Sequence, residues 1–89
     1  MIYFIQAGDN GAVKIGFAKD VKKRFAALQT GNHETLKLLK EIAGEEELEQ
    51  EIHLLVNRYR VRGEWYTPDV MEDIMLKMII GRNGNLGIK

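Results

Sequence analysis

Apolar and polar positions repeat at two different periods along this chain, and the switches between them mark its elements. Ile2–Gln6 (IYFIQ) is a short β-branched and aromatic run, the composition of a strand. Ala7–Gly11 is a turn cluster, with Asn10 and Gly11 expected to take the positions that need positive φ. In the next run Val13, Ile15 and Phe17 alternate with Lys14 and Gly16, so the chain returns as the second strand of an antiparallel hairpin. The period then lengthens. Val21, Phe25 and Leu28 recur at helical spacing, between Asp20 as N-cap and Gly31-Asn32 as a stop, which predicts a helix over Val21–Thr30. Arg24 falls inside that band, at the edge of a face expected to be buried, where a charge needs an anionic partner.

Thr35–Ala43 (TLKLLKEIA) alternates imperfectly and is bounded by Gly31 and Gly44. It is read as a third strand, because a lone hairpin is marginal in water. Glu45–Tyr59 predicts the longest helix, with Leu48, Ile52, Leu55 and Tyr59 as its apolar stripe. Gly63 breaks the run Arg60–Tyr66, which reads as a turn carrying a core tryptophan, Trp65. Thr67-Pro68-Asp69 supplies a cap, a proline at the first helical position and a first-turn acid. The helix it starts carries Val70, Met71, Ile74, Met75, Met78 and Ile79, and stops near Gly81. The expected architecture is α/β in the α+β sense: a small three-stranded, mainly antiparallel sheet flanked by helices, in one domain over 1–80. The Gly/Asn-rich residues 81–89 are expected to be a flexible C-terminal tail.

Composition changes this picture little. A chain of 89 residues is near the lower range for a self-sufficient core. The absence of cysteine excludes disulfides and thiolate-bound zinc, and fits a reducing cytosol. The opening MIYFIQ lacks the basic flank and apolar run of a signal peptide, and no stretch approaches the ~18–20 apolar residues of a membrane span. A soluble cytoplasmic protein, away from membranes, is expected. Thirteen basic and thirteen acidic residues cancel, so net charge does not mark a nucleic-acid binder. The charges are nevertheless segregated: Lys19, Lys22, Lys23 and Arg24 in one element, Arg58, Arg60 and Arg62 in another, and Glu45, Glu46, Glu47, Glu49 and Glu51 between them.

Few residues carry recognisable chemistry. Glu49 and His53 stand one helical turn apart, a spacing at which carboxylate and imidazole share a metal or a water, or form a surface pair that only steadies the helix. One carboxylate suits Mg²⁺, which keeps several waters and takes further ligands from substrate phosphate. Tyr3 has a hydroxyl that needs a polar partner if buried, and is otherwise an ordinary strand residue. Gly16 marks either a close approach of the backbone or a strand end. Gly63-Glu64-Trp65-Tyr66 is a turn, or the wall of a pocket. A structural ion pair between Arg24 and Glu49 is a further reading of those two charges.

Together these residues form an ordered set. Ile2-Tyr3-Phe4-Ile5, Val13-Lys14-Ile15-Gly16, Arg24, Leu28-Gln29-Thr30-Gly31-Asn32, Leu48-Glu49, His53, Arg60 and Gly63-Glu64-Trp65-Tyr66 follow one another in a pattern that resembles the GIY-YIG nuclease superfamily. The details are closest to its phage-encoded, meiotically-up-regulated-gene-type branch, and the match runs from Ile2 to about Pro68.

The resemblance implies a metal-dependent DNA endonuclease, a hydrolase of phosphodiester bonds. It places Mg²⁺ (or Mn²⁺) on Glu49, the scissile phosphate on Arg24, and Tyr3 where it orients or deprotonates the attacking water. Lys14 stands where the second motif has tyrosine, to bind phosphate or accept the proton. His53 is the other proton acceptor, since imidazole exchanges protons near neutral pH. Gly16, Lys14, Arg24 and Glu64 are the substrate-binding set. The first motif's glycine has no counterpart, Met1 being nearest. No separate DNA-binding module is present, so tight binding is expected to need a homodimer or a targeting partner protein. The alternative is a non-catalytic nucleic-acid- or protein-binding module on the same fold.

Overall fold

The computed structural model describes residues 1–82, with side chains described to residue 77. Its strands are β1 (Ile2–Ala7), β2 (Val13–Phe17), β3 (Leu36–Ile42), β4 (Arg60–Arg62) and β5 (Trp65–Tyr66). Its α-helices are α1 (Val21–Thr30), α2 (Glu46–Leu55) and α3 (Val70–Arg82). The fold is a mixed α+β one, as expected, but the antiparallel sheet has five strands in the order β3-β1-β2-β5-β4 rather than three. The two additional strands are only three and two residues long, too short for an alternating pattern to show, and they come from the stretch read as a turn.

Side-chain alternation divides the sheet into two faces with separate cores. Ile2 and Phe4 of β1 share one face with Val13 and Ile15 of β2, and pack against Ile52, Val56, Tyr66, Val70 and Ile74. Tyr3 and Ile5 point the other way, with Val21 of α1 and Leu36, flanked by Phe25 and Leu28. In α1 the Asp20 carboxylate accepts the Lys23 N–H at 3.1 Å, and Gly31 closes the last turn through Ala27 O. Arg24 lies outside the buried band expected for it. The stripe narrows to Val21, Phe25 and Leu28, and Arg24 is exposed.

The imperfect alternation of β3 has a physical cause. Phe4 faces Lys40 and Ile5 faces Leu38, so Leu39 is an extra residue, a β-bulge. It moves the even-numbered residues from one face to the other. Leu36 is buried toward α1, while Ile42 packs on the opposite core. The outer edge carries Lys37, Lys40 and Glu41, charges that discourage pairing with another strand.

Several local expectations shift. Positive φ falls on Gly8 (67°) and Gly63 (55°), not on Asn10 or Gly11. Helix α2 ends at Leu55, and a single 3₁₀ turn, Asn57–Tyr59, follows it. The buried stripe is therefore Leu48, Ile52 and Val56, with Val56 at 1% exposure and Leu55 at 60%. Tyr66, not Trp65, is the buried aromatic. Tyr66 pairs with Val13 and shares its core-facing side, whereas Trp65 pairs with Lys14 and faces the other way. Helix α3 begins two residues after Pro68, through a turn in which Val70 N–H reaches Thr67 O and Met71 N–H reaches Pro68 O. Val70 and Ile74 are buried, Met71 partly so, and Met75 is exposed. The side chains of Met78 and Ile79 and the tail residues 83–89 lie outside the described residues, while Gly81 and Arg82 close α3. Among the described residues no helix is long and apolar enough to cross a membrane.

The phase of α2 gives a direct stability contrast. Ile52→Ala is expected to cost about 2–5 kcal/mol, because it opens a cavity in the core. Leu55→Ala is expected to stay within about 0.5 kcal/mol. Urea denaturation of the two variants measures both.

Candidate functional site

The site forms where the sheet runs out of partners. β5 pairs with β2 only at Val13 and Lys14, and Gly63, in a left-handed turn, bends the chain away from β2. Ile15 N–H still reaches Glu64 O at 3.1 Å. The Ile15 carbonyl points to the same side of the strand, but the return bond from the Glu64 N–H that would close the pair is not made among the described residues, which leaves this carbonyl to another donor. Its partner is His53, whose Nε2 lies 3.1 Å away. This contact brings α2 down onto the edge of β2.

His53 has further partners. Its Nε2 is also 3.3 Å from Glu49 Oε2, and its Nδ1 is hydrogen-bonded to the Tyr66 hydroxyl. Glu49 is 8% exposed, the only buried charged residue among those described. Its Oε1 has no hydrogen-bond partner among the described residues, yet no fully buried polar atom lacks one, so Oε1 opens to solvent. Glu49, His53 and Glu64 offer ligand atoms that all lie within 4.8 Å of one another. Beside them opens a cleft of about 440 Å³, lined by Glu49, Gln50, His53, Arg60 and Glu64 among others. Glu64 also pairs with Lys14 at 3.0 Å, and the Lys14 ammonium sits 5.6 Å from the centre of the Trp65 ring.

Tyr3 and Gly16 face each other across β1 and β2. The Tyr3 ring lies over Gly16 so closely that a Cβ there would fall 2.3 Å from the hydroxyl and 2.4 Å from Cζ. Gly16 is thus a close approach and not a strand end. The Tyr3 ring is buried, and its hydroxyl makes no hydrogen bond among the described residues.

The structure therefore brings Glu49, His53, Glu64 and Lys14 together at the β2 edge, with Tyr3 stacked on Gly16 in the same strand pair. Arg24 is not among the residues lining the cleft, and no ion pair among the described residues involves it. An Arg24–Glu49 ion pair is accordingly absent among them. Tyr66 and the Ile15 carbonyl are members that sequence reasoning missed. Tyr66 had no signal beyond its place in Gly63–Tyr66, and a backbone acceptor has none.

Burial pushes the Tyr66 phenol above its ordinary value near 10; the Arg60 charge opposes this, and Glu64 and Glu49 add to it. An unfolded chain ionises this phenol first, so its contribution to stability is full below pH ~10 and is lost as pH rises through the folded value. Denaturation midpoints are expected to fall more steeply above pH ~10 in the wild type than in Tyr66→Phe. Gly16→Ala is expected to displace the Tyr3 ring and cost about 1–3 kcal/mol, read from the same experiment at neutral pH.

Comparison with known proteins rests on one match, a family model described as the T5orf172 domain, which covers residues 1–80. No curated protein and no solved structure matches the chain. The T5orf172 family is linked to nuclease-like and GIY-YIG-like domains. With 80 of its 89 residues matched, the chain belongs to the T5orf172 domain family.

Proposed function

We propose that this chain is a GIY-YIG-type endonuclease that hydrolyses phosphodiester bonds in DNA with the help of a divalent cation. The observation that supports it most is the buried Glu49 carboxylate, held on one oxygen by His53 and open on the other beside a cleft lined by Arg60 and Glu64, with Lys14 paired to Glu64. The donor set fits Mg²⁺ or Mn²⁺, since Glu49 and Glu64 offer the oxygen ligands these hard ions prefer.

In this reading Glu49, with Glu64 beside it, would hold the cation. When bound, the cation offsets negative charge developing on the phosphate and its leaving oxygen. Tyr3, with an uncommitted hydroxyl above Gly16, orients the attacking water or takes its proton. Lys14 exchanges Glu64 for a phosphate oxygen, and Arg24, exposed on α1, binds the phosphate with its guanidinium. Both nitrogens of His53 are already engaged, which leaves proton acceptance to Tyr3 or Lys14.

A second reading is a non-cutting nucleic-acid- or protein-binding module. It is favoured by the exposed cations Lys22, Lys23 and Arg24 on α1 and Arg60 and Arg62 on β4. In either reading the neutral net charge points to help from a second copy or a targeting partner for tight DNA binding.

The test is incubation of the purified protein with supercoiled plasmid in Mg²⁺, Mn²⁺ or EDTA. Nicking that requires metal is expected, reduced by about a hundredfold or more in Glu49→Ala and in Arg24→Ala. Undiminished cleavage by Glu49→Ala would sink the proposal. Binding that persists in EDTA, with no cleavage in any metal, would establish the module.

A further inference from the structure

Three parts of the molecule stand outside the mechanism: the acidic surface around Asp69, Glu72 and Asp73, the apolar groove between α2 and α3, and the Tyr66–His53 pair. Only the last has a geometry that dictates a role.

The donor and acceptor inventory around His53 fixes which nitrogen carries the hydrogen when the ring is neutral. The Ile15 carbonyl accepts hydrogen bonds and cannot donate, and so does the Glu49 carboxylate. Nε2, which faces both, must therefore carry a hydrogen and share it between them. In a neutral imidazole Nδ1 is then the acceptor, and its only partner among the described residues is the Tyr66 hydroxyl, which donates.

We infer that Tyr66 is a positioning residue that acts through His53, fixing the imidazole as its Nε2–H tautomer so that the ring ties the Glu49 carboxylate to the Ile15 carbonyl. The order of atoms is Tyr66 O–H to Nδ1, then Nε2–H to Glu49 and to the strand backbone. The Tyr66 side chain is buried in the core and its backbone pairs with Val13 of β2, so the relay carries the rigidity of the sheet to a side chain on a helix. Partners that orient a ligand in this way commonly change metal affinity by 10–100-fold when removed. The inference rests on the proposed role of Glu49 as the cation-binding residue.

Two measurements on the full chain separate the inference from that reading. The first needs neither metal nor DNA. In ¹⁵N-labelled protein at neutral pH, His53 is expected as a single Nε2–H tautomer, distinguishable from the exposed His33. Tyr66→Phe removes the donor to Nδ1 and should abolish that single form. An Nδ1–H tautomer or an imidazolium in the wild type, or an unchanged spectrum in Tyr66→Phe, overturns the inference.

The second measurement titrates Mn²⁺ into wild type, Tyr66→Phe, His53→Gln and the double variant. Glutamine carries an N–H near the place of Nε2 and needs no donor from Tyr66. Affinity should fall about tenfold or more in Tyr66→Phe, be largely kept in His53→Gln, and show no further loss when Tyr66→Phe is added to His53→Gln. A loss from Tyr66→Phe of equal size in both backgrounds would mean that the Tyr66 hydroxyl acts independently of His53, and would overturn the relay. Equal Mn²⁺ affinity of wild type and Glu49→Gln would overturn the metal reading of Glu49, leaving the tautomer to decide the link between Tyr66 and His53.

Discussion

A half-buried imidazole must give both its nitrogens a partner, and in this protein that requirement joins the helix to the sheet. The Ile15 carbonyl is left unpaired when β5 ends, and an unpaired carbonyl is costly in a protein interior. His53 satisfies it. Because His53 stands on α2 one turn after Glu49, the same contact sets the carboxylate at the mouth of the cleft. The early bend at Gly63 is thus a cause of the site, since a return bond from the Glu64 N–H would have occupied the acceptor that His53 uses.

The site joins the two faces of a thin sheet. Tyr3, Lys14 and Gly16 point toward the α1 side, and Glu49 and His53 approach from the α2 side. Glu64 spans the gap: its main chain continues the ladder to Ile15, while its carboxylate meets Lys14 and lies beside Glu49. A sheet edge suits such an arrangement, because groups from both faces converge there without crossing the hydrogen-bonded layer. Gly16 contributes by absence, leaving room for the Tyr3 ring where any side chain would collide with it.

Electrostatics act locally rather than globally. The net charge of zero gives no long-range pull on a polyanion. The exposed cations of α1 and of β4, together with a concentrated carboxylate pair, instead provide short-range contrasts, which salt screens less when they are partly buried.

The sequence by itself determined the helices, the hairpin and the pairing of Glu49 with His53, because these follow from local spacing: alternation at period two, apolar recurrence at three and four, a cap at Asp20. The ordered motifs also carried the family-level resemblance. Tertiary structure decided the rest. Strands of two and three residues form only because β2 offers an edge, the bulge at Leu39 exists because Leu36 and Ile42 are buried on opposite faces, and α2 ends early so that Val56 rather than Leu55 enters the core. Arg24 turned outward because Val21, Phe25 and Leu28 alone fill the space beneath α1. Tyr66 entered the site through Nδ1 of a residue thirteen positions away, and the Ile15 carbonyl through Nε2 of one thirty-eight away. Contacts of that range depend on where whole elements come to rest, which local spacing does not encode.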